Sequence, residues 1–447
     1  MTDKATVEIF RAGKWQPAAT IKPDAIDEGH NGHCRLEYCS DYAFEHIATT
    51  VAQAAGVSCR YPVDFALHDE NNWPAFLLDI LPNGAGREHW LKRLDISDGA
   101  SADWPLLVNG AAFPPGNLRI REAFEARTAG LFAPTATGEI VSIEKHPGFS
   151  INDIYERQEH FIEYAYQNGA QTGGASDVQG VAPKFLMVMD HADMWHAEGV
   201  LDDTDIASHW LIKFPRGTTV DDRKILCNEA AYMSVAAKLG LKVHADLGWN
   251  SDTLLIPRFD RVISHNGTVT RIGMESLCSL AGITKYGIEY GGTPSHNTLC
   301  VAIARYATYP EKELLEYIKR DIVNVVMGNK DNHPRNTAVY RYEDGSVELT
   351  PLFDFAPMYL DPTGIARVCR WEGDLEHGGI PIWNRVIDAL PVATPQEHIR
   401  DKLHEFAKHL EQLPKIMETA GVDSDIIDFR ARAIEEHAMQ LHALNGS

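Results

Sequence analysis

Between residues 310 and 354 a short stretch of chain dictates its own shape. Leu314, Leu315, Ile318, Ile322 and Val325 recur at helical spacing within Glu313 to Met327, which predicts an amphipathic helix. Directly after it comes Gly328-Asn329-Lys330-Asp331-Asn332-His333-Pro334-Arg335-Asn336, crowded with short polar side chains and a poor core element. Ala338 to Tyr342, Asp344-Gly345 and Ser346 to Leu349 then read as strand, tight turn and strand, since Asp-Gly suits the turns that join twisted antiparallel strands. Asn336 precedes that turn by about eight residues and Asp354 follows it by about nine, so pairing brings both to the same end of the hairpin.

The rest of the chain divides around this segment. Residues 1–130 read as a small mixed α/β subdomain: a strand at Val7 to Phe10, a turn at Ala12-Gly13-Lys14, and a helix after Asp41 carrying Phe44, Ile47, Ala48 and Val51. Phe76 to Leu81 forms an apolar segment stopped by Pro82, followed by helical spacing from Arg87 to Leu94. Pro134, Gly138, Pro147 and Gly148 mark 131–150 as a linker. Residues 151–262 open with a helix over Ile154 to Tyr166 and a glycine-bearing loop, Gly173 to Gly180. Strands at Lys184 to Met189, His209 to Phe214 and Thr253 to Phe259 follow, with a helix over Glu229 to Leu239 among them. Residues 263–447 are read as helical, including one long helix from Ile399 to Met417. Strands followed by helices define an α+β chain of two lobes, strand-rich then all-helical, with the small subdomain in front.

Composition narrows the class. The 447 residues carry 41 Lys and Arg against 63 Asp and Glu, a net charge of −22 that opposes nonspecific binding to phosphate backbones. No run of apolar residues approaches a membrane span and the first residues lack a signal-peptide core, so a cytosolic protein with no membrane partner is expected. Seven cysteines form no CxxC pair and read as free thiols. There is no HExxH, no GxSxG and no GxxxxGK[ST] run, which argues against a zinc protease, a hydrolase elbow and a Walker-type nucleotide loop.

The polar loop carries the chemistry. Asp331, Asn336 and Asp354 form a set of two carboxylates and an amide, oxygen donors suited to Mg²⁺. Asp-x-x-x-x-Asn followed, after a hairpin, by Asp is the spacing of protein-kinase-type phosphoryl transfer, in which Asp331 accepts the substrate hydroxyl proton while Asn336 and Asp354 hold the metal. His333 is read as organising Asp331. Lys213 sits in the otherwise apolar Leu211-Ile212-Lys213-Phe214, where an ATP phosphate would satisfy its charge, and Glu229 on the next helix is its expected partner. Backbone N–H groups of Val178, Gln179 and Gly180 are placed to meet phosphates, and Ser176 beside them offers a hydroxyl for self-phosphorylation.

Five ordered motifs resemble the HipA family of bacterial toxin–antitoxin kinases. They are Ser176 to Lys184, Asn228-Glu229-Ala230-Ala231 through Leu241, Arg258-Phe259-Asp260-Arg261, Gly328 to Asn336, and Leu349-Thr350-Pro351-Leu352-Phe353-Asp354; Phe76 to Pro82 is similar to the family's amino-terminal subdomain. The resemblance implies a two-lobed protein-kinase-like fold and a serine/threonine protein kinase that uses ATP and Mg²⁺. Its substrate would be a protein such as a translation factor or aminoacyl-tRNA synthetase. By the same resemblance Lys213 contacts ATP phosphate, Asp331 is catalytic, Asn336 and Asp354 ligate Mg²⁺, and Ser176 is the autophosphorylation site.

In the hinge-like stretch Pro257 offers only its carbonyl to adenine, with Phe259 the backbone donor. Asp177 stands where a simple alignment places the family serine, and a one-residue insertion restores Ser176. With no helix-turn-helix pattern, DNA contact is expected only through a HipB-like antitoxin partner. Three other readings compete: a small-molecule or lipid kinase, a silent ATP-binding co-repressor, and a metal-dependent nuclease, the last disfavoured by charge.

Overall fold

The computed structural model describes residues 2–48, 54–130, 146–167, 183–285, 294–364, 366–391 and 396–445. The glycine-bearing loop, with Ser176, Asp177, Val178, Gln179 and Gly180, lies outside them. The chain forms two compact units, Met1–Phe214 with Leu255–Glu275 and Arg341–Ser346, and Pro215–Leu254 with Ser276–Tyr340 and Val347–Ser447.

Among the described residues the first unit holds two larger sheets and a small antiparallel pair, Arg261–Ile263 with Val269–Arg271. In one, Ala5–Arg11 and Lys14–Pro23 form a hairpin whose turn residues Ala12 and Gly13 both take positive φ, the geometry that matches strand twist. Cys34–Tyr38 and His68–Glu70 extend this sheet on one side and Leu118–Ile120 on the other, all antiparallel. Val7, Ile9, Ile21 and Leu36 pack beneath it with Trp73, Leu77, Trp104 and Leu106. In the second sheet Lys184–Asp190 lies between Trp195–Ala197 and Ile206–Lys213. Phe185 and Phe214 meet Phe161 edge-on in a separate core. The single helix expected over Ile154 to Tyr166 is two, Ile151–Tyr155 and Glu159–Gln167, because Arg157 turns into the left-handed region at φ 50°.

A buried ionic cluster joins parts of this unit far apart in sequence. Arg258 donates to Asp260 at 2.6 and 2.9 Å and to Glu198 at 3.0 Å, while the backbone N–H of Gly116 reaches Asp260 at 2.7 Å. Arg261 adds a second guanidinium to Asp260 at 2.6 Å, and His209 faces Glu198 at 3.1 Å. Despite their burial, Glu198 and Asp260 are held well below the usual carboxylate range, chiefly by Arg258.

The second unit is mainly helical. Val220–Lys238 starts nine residues earlier than expected, because Thr219 and Asp222 form a reciprocal capping box. Leu277–Ala281, His296–Tyr306, Pro310–Met327, Trp383–Asp388, Gln396–Glu411, Leu413–Ala420 and Ser424–His442 follow. The helix expected to run unbroken from Ile399 to Met417 is interrupted after Glu411, where Pro414 falls in the first turn of the next helix. This unit also carries strands, chiefly Val347–Leu349 and all but the last residue of Ala338–Arg341, so it is helical but not all-helical. Among the described residues no helix is long and apolar enough to cross a membrane.

Arg258→Met should destabilise the first unit by about 3–5 kcal/mol, since Asp260 and Glu198 would remain buried with a cation removed. Because both carboxylates are shifted down on folding, their contribution is present above about pH 4 and is lost as pH falls below it. Urea unfolding of wild type and variant at pH 7 and pH 3.5 should therefore show a gap that narrows in acid.

Candidate active site

The helix Pro310–Met327 ends at Gly328, which turns the chain at φ 77°. A side chain there would meet Tyr359 Cδ1 at 2.7 Å, so glycine alone allows this close approach. Arg430 satisfies two of the last helical carbonyls, donating to Val326 O at 2.9 Å and Val325 O at 2.7 Å. The N–H of Tyr359 donates to Gly328 O at 3.0 Å, drawing the segment beyond Asp354 back onto the start of the polar loop.

The loop itself is folded by its own polar groups. His333 Nδ1 accepts from the Arg335 N–H at 3.1 Å and starts the short turn Pro334–Asn336. Asn336 Nδ2 donates to Asp331 O at 3.0 Å, which places the amide and the carboxylate-bearing residue side by side. Asp331, Asn336 and Asp354 all line one pocket with Asn329, Asn332 and Asp321, wholly within the second unit. Asp354 sits in the left-handed region at φ 56°, a conformation costing a non-glycine residue about 1 kcal/mol and typical of functional turns. Burial holds the His333 imidazole down to about 3, so it is neutral and acts as an acceptor for the loop backbone.

The loop is anchored by a buried network that the sequence reading missed. Asn332 Nδ2 donates to Cys369 O at 3.0 Å while its Oδ1 accepts from the Cys369 N–H at 3.1 Å, a side-chain imitation of strand pairing. On either side of Cys369, Arg367 donates to both oxygens of Asp321 at 2.6 and 2.7 Å and Trp371 Nε1 donates to it at 2.8 Å. Asp321 belongs to the helix that leads into the loop, so the circuit closes on itself. His296 Nε2 lies 3.1 Å from Arg367 and 3.3 Å from Asn332, both donors, and its Nδ1 lies 2.7 Å from the Tyr317 hydroxyl. Nε2 also lies 3.3 Å from Asp321 Oδ1, so a neutral ring meets donors and an acceptor at that nitrogen. Burial lowers the His296 pKa to about 4, in keeping with this neutral form. Asp321 stands among apolar helical positions, where an isolated carboxylate signals only that a partner exists and not which one.

A cation fits the donor set. Asn336 Oδ1 is buried with no hydrogen-bond partner, although its residue is only 7% exposed. An orphaned carbonyl oxygen on a residue that lines a pocket with Asp331 and Asp354 is matched by a hard divalent ion. Among the described residues no group of three or more His, Cys, Asp or Glu is placed to hold a metal, so amide oxygens would have to contribute.

The other described site residues are divided between the two units. Lys213 ends its strand opposite Lys184 and is 3% exposed, buried rather than at a surface edge. It belongs to the first unit, as do Pro257 and Phe259, whereas Glu229 is a buried residue of the second. Next to Pro257, the Arg258 N–H is already engaged by His209 O at 3.0 Å.

Comparison with known proteins agrees with this architecture. Residues 176–417 match the family model of the HipA-like C-terminal domain, more than half of the chain. The chain belongs to the HipA family. A putative kinase, Y4mE, of Sinorhizobium fredii is 31% identical over 157 residues, 34% of this chain and 35% of that protein, so the match spans about a third of the relative's length. The HipA of Shewanella oneidensis, solved with HipB and operator DNA, superposes with a TM-score of 0.62 over 98% of this chain and 96% of that one at 17% identity, showing the shared α+β fold. The Helicobacter pylori proinflammatory kinase CtkA matches 53% of this chain and 88% of its own at 14% identity, with a TM-score of 0.36.

His296→Gln should flatten the acid side of the stability curve of the second unit. The unfolded imidazole takes up a proton below about pH 6.5 that the buried one refuses until about 4, so wild-type stability falls as pH drops through that window. Chemical unfolding at pH 7 and pH 5 should show a smaller difference in the variant.

Proposed function

We propose that the protein is an ATP- and Mg²⁺-dependent serine/threonine protein kinase of the HipA toxin type. The observation that carries the reading is the polar loop: Asn336 is tied to the carbonyl of Asp331, and both share a pocket with Asp354. In this reading Asp331 accepts the proton of the substrate hydroxyl as its oxygen forms a bond to the γ-phosphorus and the bond to the β-phosphate oxygen breaks, releasing ADP. Asn336 and Asp354 hold Mg²⁺, which supplies charge neutralisation for the phosphates when bound. Lys213 is assigned to an ATP phosphate, and most of the rate comes from positioning and electrostatics. Family membership supports this assignment, and the relative from Sinorhizobium fredii carries the name of a putative kinase.

Two further features belong to the proposal. Ser176 is the site of self-phosphorylation, which would put about −1.5 to −2 charges beside an anionic nucleotide and switch activity off. A DNA-binding antitoxin is the expected partner, since the Shewanella oneidensis HipA was solved with HipB and operator DNA.

Purified protein incubated with Mg²⁺ and γ-labelled ATP tests the reading by intact mass and by label transfer to candidate proteins. Wild type should become labelled on Ser176, and Asp331→Ala should lose transfer by about 10³-fold while still binding ATP. Absence of any transfer from the wild type, with ATP bound, would leave an ATP-binding protein and remove the kinase assignment.

A further inference from the structure

Asn329 opens the polar loop and is 5% exposed. Its backbone is pinned at both sides: Gly328 before it is held in a left-handed turn against Tyr359, and its own N–H donates to Asn324 O at 2.9 Å. Its side-chain amide is pinned as well, since Nδ2 donates to Asn324 Oδ1 at 3.0 Å. One end of the amide is thus engaged within the helix terminus, and the other, Oδ1, is buried with no hydrogen-bond partner. Asn329 lines the same pocket as Asp331, Asn336 and Asp354, where Asn336 Oδ1 is also orphaned.

Asn329 and Asn336 both line this pocket, and each carries a buried amide oxygen without a partner, which forfeits the hydration it had in the unfolded chain. A single hydroxyl donor would satisfy one of them. A divalent cation satisfies both and suits the adjacent carboxylates, and neutral amide oxygens complete its shell without adding negative charge beside phosphates. The chain geometry supports convergence on one point: Asn336 is drawn to Asp331, two residues from Asn329, and the Tyr359 to Gly328 bond returns the Asp354 segment to the same place.

We infer that Asn329 is a third oxygen contributor to the cation held by Asn336 and Asp354, directly or through a cation-bound water. The inference rests on the metal-dependent kinase reading but is tested apart from catalysis. Mn²⁺ is the probe, titrated into the full chain with a non-hydrolysable ATP analogue, with free Mn²⁺ followed by its electron paramagnetic resonance signal. Asn329→Ala should weaken Mn²⁺ about tenfold, within the range seen when groups around a metal are removed, as should Asn336→Ala. Asn329→Asp keeps an oxygen at the position and should retain or tighten binding, with Asn324 turning its amide to donate. Lys330→Ala, at an exposed neighbour, should leave binding unchanged. If Asn329→Ala and Asn329→Asp both bind Mn²⁺ as wild type does while Asn336→Ala and Asp354→Asn do not, the inference is overturned and the kinase reading stands. If wild type itself takes up no Mn²⁺, the metal assignment of the whole site falls with it. Melting temperatures of the variants without metal identify any that fail to fold, and the aspartate variant keeps the test decisive in that case.

Discussion

Asp321 is the group on which the geometry of the polar loop leans. A carboxylate buried in a helical core is costly unless its lone pairs are filled, and here two arginine contacts and an indole N–H fill them. Those donors come from Arg367 and Trp371, which flank Cys369, and Cys369 in turn grips Asn332 next to Asp331. The need to satisfy one charge on the helix therefore places the segment that holds the loop. Such a circuit does more to specify one arrangement than to add net stability, since Coulomb attraction and desolvation nearly cancel.

The first unit solves the same problem with another charge. Asp260 gathers Arg258, Arg261 and the Gly116 N–H, and through Arg258 it reaches Glu198 and His209. In the first unit Arg258 uses two nitrogens on the two oxygens of Asp260, the planar match a lysine could not make, while in the second Arg367 divides its nitrogens between Asp321 and Glu376. The pocket, by contrast, holds acceptors left open. Asn329 Oδ1 and Asn336 Oδ1 are buried without partners, and both residues line the pocket that holds Asp331 and Asp354. Orphaned acceptors gathered at one place mark where something from outside the chain is accommodated.

Much of the local architecture was readable in advance. The helix before the loop, the Asp-Gly hairpin and the strands at Lys184 and His209 follow from side-chain periodicity and turn chemistry, and they appear with small shifts at their ends. Helix breaks were less legible. Pro414 was visible, but the apolar spacing continued across it and hid the change of direction; nothing in the sequence marked Arg157 as a residue that would turn left-handed. The start of the helix Val220–Lys238 was announced by Thr219 and Asp222, a capping signal outweighed by the polar residues that follow.

The site divides along the same line. Sequence by itself determined that Asp331, His333, Asn336 and Asp354 belong to one polar loop and hairpin, because their spacing is short and local turn chemistry brings them together. Tertiary structure alone decided that Asp321, Arg367 and Trp371 would clamp that loop and that Asn329 would present an unpartnered oxygen beside it. A buried charge announces only that it needs a counterpart; which residue answers depends on how elements dozens of residues apart pack, and periodicity along the chain carries no record of that.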